Sequence, residues 1–208
     1  MKKLIFDLDN TLLFISDDWG KCYQKFIDKY NLGISPEELY NVVGKFEEDN
    51  RNMIVTPQYF IEYINNISNL NLTLESLKDL SGYYDDIELV KTDIIYDLLE
   101  YLSSKYEIYA YTNWFTENQL NRLRKYNLDK FFNEVYGWDK VYMKPSIMGI
   151  KNIVKDNIKD YIFIGDSIEY DIEVPSSMGM DVIFYNRKGI KQDKYKEVLK
   201  IEDLKNIL

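Results

Sequence analysis

Hydrophobic and polar residues follow two different periods along this chain. Leu4-Ile5-Phe6 is a short continuous apolar run, the pattern of a strand buried on both faces of a parallel sheet. From about Asp17 to Tyr84 the apolar positions recur at helical spacing, as in Leu39, Val42, Val43 and Phe46, then Tyr59, Phe60, Tyr63, Ile64 and Ile67. Ser35-Pro36-Glu37-Glu38 reads as a capping box with proline at the first helical position, and Thr56-Pro57 and Thr73 read as further N-caps. These signals predict a bundle of four or so helices inserted after the first strand. From Lys91 onward helix and strand patterns alternate. A helix near Thr92–Ser104 precedes a strand at Glu107–Tyr111, and Thr116-Glu117-Asn118-Gln119 reads as another capping box, opening a helix that runs to about Tyr126. Short strands are expected at Glu134–Tyr136, Tyr161–Ile164 and Val182–Tyr185 with helices between, and Ile201–Leu208 as a closing helix.

Strands alternating with helices connect through right-handed crossovers, which makes the sheet parallel and covers both its faces. The expected fold is therefore α/β: a Rossmann-like three-layer core with a parallel sheet, residues 1–14 and 89–208, plus an inserted all-α helical-bundle cap, residues 15–88. The chain has 208 residues, of which 46% are hydrophobic and 29% charged, enough apolar material for a real core. No apolar run approaches the length needed to span a bilayer, and the basic N-terminus meets Asp7 too soon for a signal peptide. A lone Cys22 points to a reducing, cytoplasmic setting. The formal charge of −9 disfavours nucleic acid or an anionic membrane as partner. The absence of histidine is more informative, because it removes Ser-His and Cys-His nucleophile pairs and imidazole metal ligands. Acid–base chemistry must then come from carboxylates, Lys or Tyr.

Open parallel sheets build their sites at the carboxyl ends of the strands, and here each such end carries a polar residue suited to a metal or a phosphate. The first strand ends in Asp7 and Asp9, two residues apart, so that strand alternation points both carboxylates the same way. Two like charges repel there, and a bound cation turns that repulsion into ligation. The second strand ends in Thr112-Asn113, followed by Trp114. Lys144-Pro145 is expected to open a helix, with the proline pinning the loop that presents the lysine. Gly165-Asp166-Ser167 follows the fourth strand, and Asp171 lies one short turn later. Each alone has an ordinary explanation: a strand-to-helix turn, a solvated lysine, a helix cap, or a first-turn acid favoured by the helix dipole. As an ordered set they are far harder to produce by accident.

That ordered set, Asp7-Leu8-Asp9-Asn10-Thr11, Thr112-Asn113, Lys144-Pro145, and Gly165-Asp166-Ser167 with Asp171, resembles the haloacid dehalogenase superfamily. The helical insertion after the first motif resembles the small cap of its first subclass. The resemblance implies that Asp7 is the nucleophile, giving an aspartyl-phosphate, and that Asp9 is the general acid and then the base that activates water. It implies Mg²⁺ held by the Asp7 side chain, the Asp9 backbone carbonyl and Asp166. Thr112 and Lys144 would hold the phosphoryl oxygens, with backbone N–H groups after Asp7 and at Asn113, and Asp171 would orient Lys144 or a metal-bound water. The family's dehalogenase branch lacks the acid found here as Asp9. Tyr170 departs from the family's usual pattern, where Asn commonly precedes the last acid, and so does the bulky Val174-Pro175-Ser176-Ser177. The chemistry agrees with the resemblance, since phosphoryl transfer needs a cation wherever a carboxylate approaches a dianion, and Mg²⁺ prefers oxygen ligands. The implied function is a Mg²⁺-dependent phosphatase acting on a small phosphorylated metabolite. The alternatives are a phosphomutase of the same family and, in a different class, a phosphoaccepting receiver-like signalling domain. In the cap, Gly44-Lys45 is expected between the first two helices. Lys45 there reads either as a contact to a second charged group of the substrate or, more simply, as an exposed helix lysine. Trp19 and Trp114 flank the expected cleft, either to stack on a base or sugar or to pack cap against core.

Overall fold

The structure is a computed structural model that describes residues 2–16 and 19–208. Its strands are β1 (Lys3–Phe6), β2 (Phe14–Ile15), β3 (Leu89–Val90), β4 (Glu107–Tyr111), β5 (Glu134–Tyr136), β6 (Tyr161–Gly165), β7 (Asp181–Tyr185) and β8 (Glu197–Val198). Six of them form one parallel sheet in the order β5-β4-β1-β6-β7-β8, and β2 and β3 form a separate antiparallel pair. The apolar run that begins the chain lies at the centre, with Leu4 opposite Ile108 on one side and Ile162 on the other. Alternation along β1 sends its side chains to two separate cores. Leu4 and Phe6 pack with Leu98, Leu99 and Leu102 of helix α5 (Thr92–Ser103), together with Leu123 of helix α6 (Thr116–Lys125). Ile5 packs on the opposite face with Phe163 and with Ile150 and Ile153 of helix α7 (Ile147–Ile153). Two short helices, α8 (Glu173–Ser177) and α9 (Leu204–Ile207), complete the covering layers. Burial of each such side chain contributes roughly 1.5–3 kcal/mol.

Between β2 and β3 the chain makes four helices: α1 (Trp19–Tyr30), α2 (Pro36–Asp49), α3 (Pro57–Ser68) and α4 (Leu74–Asp86). The predicted start signals act as expected. Ser35 Oγ accepts the Glu38 N–H at 3.2 Å while Glu38 returns to the Ser35 N–H at 2.7 Å. Thr56 accepts the Tyr59 N–H, and Thr73 and Ser76 cap each other. The buried faces of the four helices meet in Phe26, Phe46, Phe60, Ile64 and Leu80, and this core continues into Trp114, Phe115 and Trp138 from the sheet side. No described helix is long and apolar enough to cross a membrane.

Several expectations need correction. The start of the helical stretch at Asp17 lies outside the described residues. Gly44-Lys45 sits inside α2 and not between two helices. Thr116 is the first residue of α6 and not its N-cap: its own N–H and hydroxyl both donate to Asp139 Oδ1 at 2.7 Å, so the cap comes from a distant loop. Lys144-Pro145 is a cis peptide that precedes α7, whose N-cap is Ser146. The C-terminal segment is a 3-10 turn, Ile201–Asp203, before the short α9.

Candidate active site

The sheet order places the ends of β4, β1 and β6 side by side, and this alone gathers residues more than a hundred positions apart in the chain. Asp7 continues β1, its N–H donating to the Ile164 carbonyl at 2.9 Å. Its carboxylate is fixed at both oxygens: Oδ1 takes the Lys144 ammonium at 2.5 Å and Oδ2 the Thr11 hydroxyl at 2.8 Å. Lys144 Nζ also donates to Asp171 Oδ1 at 2.8 Å, and Asp171 Oδ2 accepts the Ser167 N–H at 3.0 Å. Asp171 lies on a π-helical turn, Ile168–Ile172, pressed so closely against β6 that a Cβ on residue 165 would stand 2.4 Å from its carboxyl carbon. Glycine is required there for lack of space. Asp166 Oδ2 accepts from Arg187 Nε at 2.7 Å.

Carboxylate oxygens of Asp7, Asp166 and Asp171 all lie within 4.8 Å of one another. Burial pushes the Asp7 carboxyl up to about 7, and the pull of Lys144 does not offset it. Burial raises Asp171 in the same way against Lys144. On Lys144 burial opposes the charge, but Asp171 and Asp7 together outweigh it and hold the ammonium above the ordinary lysine value. Three acids facing one buried ammonium and one partly exposed guanidinium leave excess negative charge and an all-oxygen donor set. Such a set fits a hard divalent cation.

The Asp9 carboxylate is held apart from this trio. It accepts from Arg122 Nη1 at 2.7 Å and from Gln119 Nε2 at 2.9 Å, both on α6. Gln119 also donates to Thr112 Oγ at 3.0 Å, and the Arg122 guanidinium lies 5.4 Å from the Trp19 ring centre. The Asn113 side chain grips the Lys144 backbone, accepting its N–H at 2.8 Å and donating to its carbonyl at 3.0 Å. From α2, Glu47 reaches Asn113 Nδ2 at 3.5 Å, and burial of its carboxyl raises it to about 7.

Asp7, Asp9, Thr112, Asn113, Lys144, Asp166 and Asp171 line a single hollow. A larger one of about 490 Å³ adjoins it, sharing Asp9, Tyr40, Glu47, Asn113 and Tyr170, and Trp19, Lys45 and Trp114 line this second space. Lys45 is exposed and paired with Asp49 at 3.0 Å, one turn on. Sequence reasoning missed Gln119, Arg122 and Glu47. Its usable signal was a polar residue on a helix face otherwise buried, since Gln119 and Arg122 sit one turn apart beside Leu123, and Glu47 follows Val43 and Phe46.

Comparison with known proteins matches residues 4–185 to the haloacid dehalogenase-like hydrolase family. A pyrimidine 5′-nucleotidase of Streptococcus pneumoniae, PynA, is 32% identical over 129 residues, covering 54% of each chain, so the match spans about half the length of that relative. Among solved structures, the HAD-hydrolase YfnB of Bacillus subtilis, determined with magnesium bound, superposes with a TM-score of 0.73 at 19% identity, covering 99% of this chain and 97% of that one. A HAD phosphatase of Thermococcus onnurineus gives 0.66 at 21% identity, over 100% and 97%. At such identities these two likenesses establish the fold.

Proposed function

Because this chain belongs to the haloacid dehalogenase-like hydrolase family, we propose that it is a Mg²⁺-dependent phosphatase that hydrolyses a small phosphorylated metabolite through an aspartyl-phosphate. The observation that carries this reading is Asp7: a carboxylate at the end of the central strand, held by Lys144 and Thr11 and facing a hollow that the other motif residues line. Fixing both oxygens of a nucleophile limits its motion and orients it for in-line attack. Asp7, Asp166 and the Asp9 backbone carbonyl would hold Mg²⁺, which would supply the charge neutralisation that lets a carboxylate approach a phosphate dianion. Lys144 and the Thr112 hydroxyl bind phosphoryl oxygens, and Asp171 holds Lys144 in place. Asp9 gives a proton to the leaving oxygen and then takes one from the attacking water.

The division into a core, residues 1–14 and 89–208, and a cap, residues 15–88, belongs to the same reading and is supported by the pairing of β2 with β3 at the cap's entrance and exit. A phosphate-ester substrate is supported by the nucleotidase among the relatives, and a reducing, cytoplasmic setting by the single buried Cys22. Purified protein is expected to hydrolyse para-nitrophenyl phosphate with Mg²⁺, to lose that activity on chelation, and to lose at least about a thousandfold in kcat in Asp7→Asn. Full activity in Asp7→Asn removes the covalent mechanism.

A further inference from the structure

Resting on the phosphatase reading above, we propose that Gln119 and Arg122 of α6 are a positioning pair. Arg122 locks the Gln119 amide, and that amide aims the Thr112 hydroxyl proton at the phosphoryl group while it holds Asp9. Donors and acceptors can be followed along the whole chain of contacts. A guanidinium carries N–H groups only, so the Gln119 atom that meets Arg122 Nη1 at 2.9 Å has to be the carbonyl oxygen. The amide nitrogen then faces the other way and commits both its hydrogens. One goes to Asp9 Oδ2 at 2.9 Å and the other to Thr112 Oγ1 at 3.0 Å.

The hydroxyl of Thr112 therefore accepts from Gln119 and is left to donate, and no described residue takes its proton. Thr112 is buried just after β4 and lines the same hollow as Asp7 and Lys144. A phosphoryl oxygen in that hollow is the acceptor that completes the chain. Turned over, the amide would present its oxygen instead. The Thr112 proton would be drawn back to Gln119, and the Asp9 carboxylate would face a carbonyl.

Arg122 contributes little to the stability of the fold. Its Nε and Nη2 are buried without partners among the described residues, and a buried donor left unsatisfied is destabilising. The Trp19 ring, 5.4 Å from the guanidinium, offsets part of this. An apolar side chain in its place, beside the buried Leu123, would satisfy the packing at least as well. A charge retained against stability marks a position that serves another purpose, here the orientation of one amide.

The test starts from Gln119→Met, which keeps the length of the side chain and removes the amide. Titration calorimetry with inorganic phosphate and Mg²⁺ should show binding about tenfold weaker than that of wild-type protein. Combined with Thr112→Val, the variant should bind phosphate no more weakly than Thr112→Val alone, because Gln119 acts through that hydroxyl. The hold on Asp9 has its own readout. Formation of the aspartyl-phosphate breaks the bond between phosphorus and the leaving oxygen, and Asp9 gives that oxygen its proton. Phenolate needs this proton more than the weakly basic para-nitrophenolate does. In Gln119→Met, kcat/KM should therefore fall about tenfold further with phenyl phosphate than with para-nitrophenyl phosphate. Unchanged phosphate affinity in the folded variant, losses that multiply in the double variant, or equal losses with the two esters overturn the inference. Should Gln119→Met not fold, Arg122→Met, which frees the amide to turn over, is held to the same three results. Turnover of para-nitrophenyl phosphate that Asp7→Asn abolishes leaves the phosphatase reading standing whichever way these fall. If wild-type protein hydrolyses neither ester, that reading falls and the phosphate titrations alone decide the role of Gln119. Wild-type protein that binds no phosphate removes that role outright.

Discussion

Lys144 is 4% exposed and neutralises two buried carboxylates at once, so its removal reaches beyond catalysis. Lys144→Met leaves Asp7 and Asp171 facing each other without a counter-charge. Breaking a buried pair in this way costs about 3–5 kcal/mol, and urea denaturation should show a loss of that order together with abolished turnover. Gly165→Ala tests the same contact from the other side. The added methyl meets Asp171 at 2.4 Å, and backbone and acid must separate. Overpacking of this kind costs about 1–3 kcal/mol, and kcat should fall because Asp171 no longer holds Lys144. Glu47 gives a prediction with a sign. Its folded value, raised to about 7, lies above that of an ordinary glutamate, so folding takes up protons. The stability it contributes is present below the unfolded value near 4.5 and is lost as pH rises through about 7. Glu47→Gln should therefore melt higher than wild-type protein at about pH 8, by an amount on the order of 1 kcal/mol once solvent screening is allowed for, and show little gain at about pH 5. These residues also mark how far the sequence could be read. Asp7, Lys144 and Asp166 stand at strand ends or before a helix, positions that pattern alone locates. Arg122 and Glu47 act from the interiors of helices, where a charge on a buried face has no partner that spacing can name.

Elements were legible in proportion to their length. Twelve-residue helices such as α3 and α5 carry several turns of apolar spacing, to which α3 adds its Thr56 cap, and both fall where the pattern places them. β2, β3 and β8 have two residues each, too few to show any period. The start of α6 was misread for a different reason. Thr116 has the composition of a cap, but its hydroxyl accepts the Gly137 N–H at 3.0 Å and the capping oxygen comes from Asp139, 23 positions away. Gln119, read as the return arm of that box, instead turns inward to Asp9 and Thr112. Asp139→Ala should then destabilise the protein by about 1 kcal/mol in thermal melts, as loss of an N-cap does, whereas no such cost follows from a cap that Thr116 supplied by itself.

At the scale of the whole molecule, the four helices α1–α4 share one hydrophobic cluster with residues from the sheet side. Trp138 is fully buried against Phe46 of α2 and Phe60 of α3, and its carbonyl accepts the Val55 N–H at 2.8 Å. Trp138→Ala is expected to cost about 3–5 kcal/mol and to loosen the cap, raising KM more than it lowers kcat. The net charge of −9 has its own signature. An acidic field slows the approach of a dianionic substrate, and salt screens it beyond roughly 8 Å at physiological strength. Added salt should therefore raise kcat/KM modestly, the reverse of what a basic protein shows. The antiparallel pair β2–β3 has one more consequence. Ile15 and Leu89 are neighbours on a ladder, so the path of the polypeptide into the helical insert and the path out of it occupy the same spot. A tight loop of a few residues could splice them, and the parallel sheet would keep its connectivity with the whole insert deleted. Such a minimised chain would bare Trp114 and Trp138 to water, so its solubility, and not its topology, would set the limit on exchanging one insert for another.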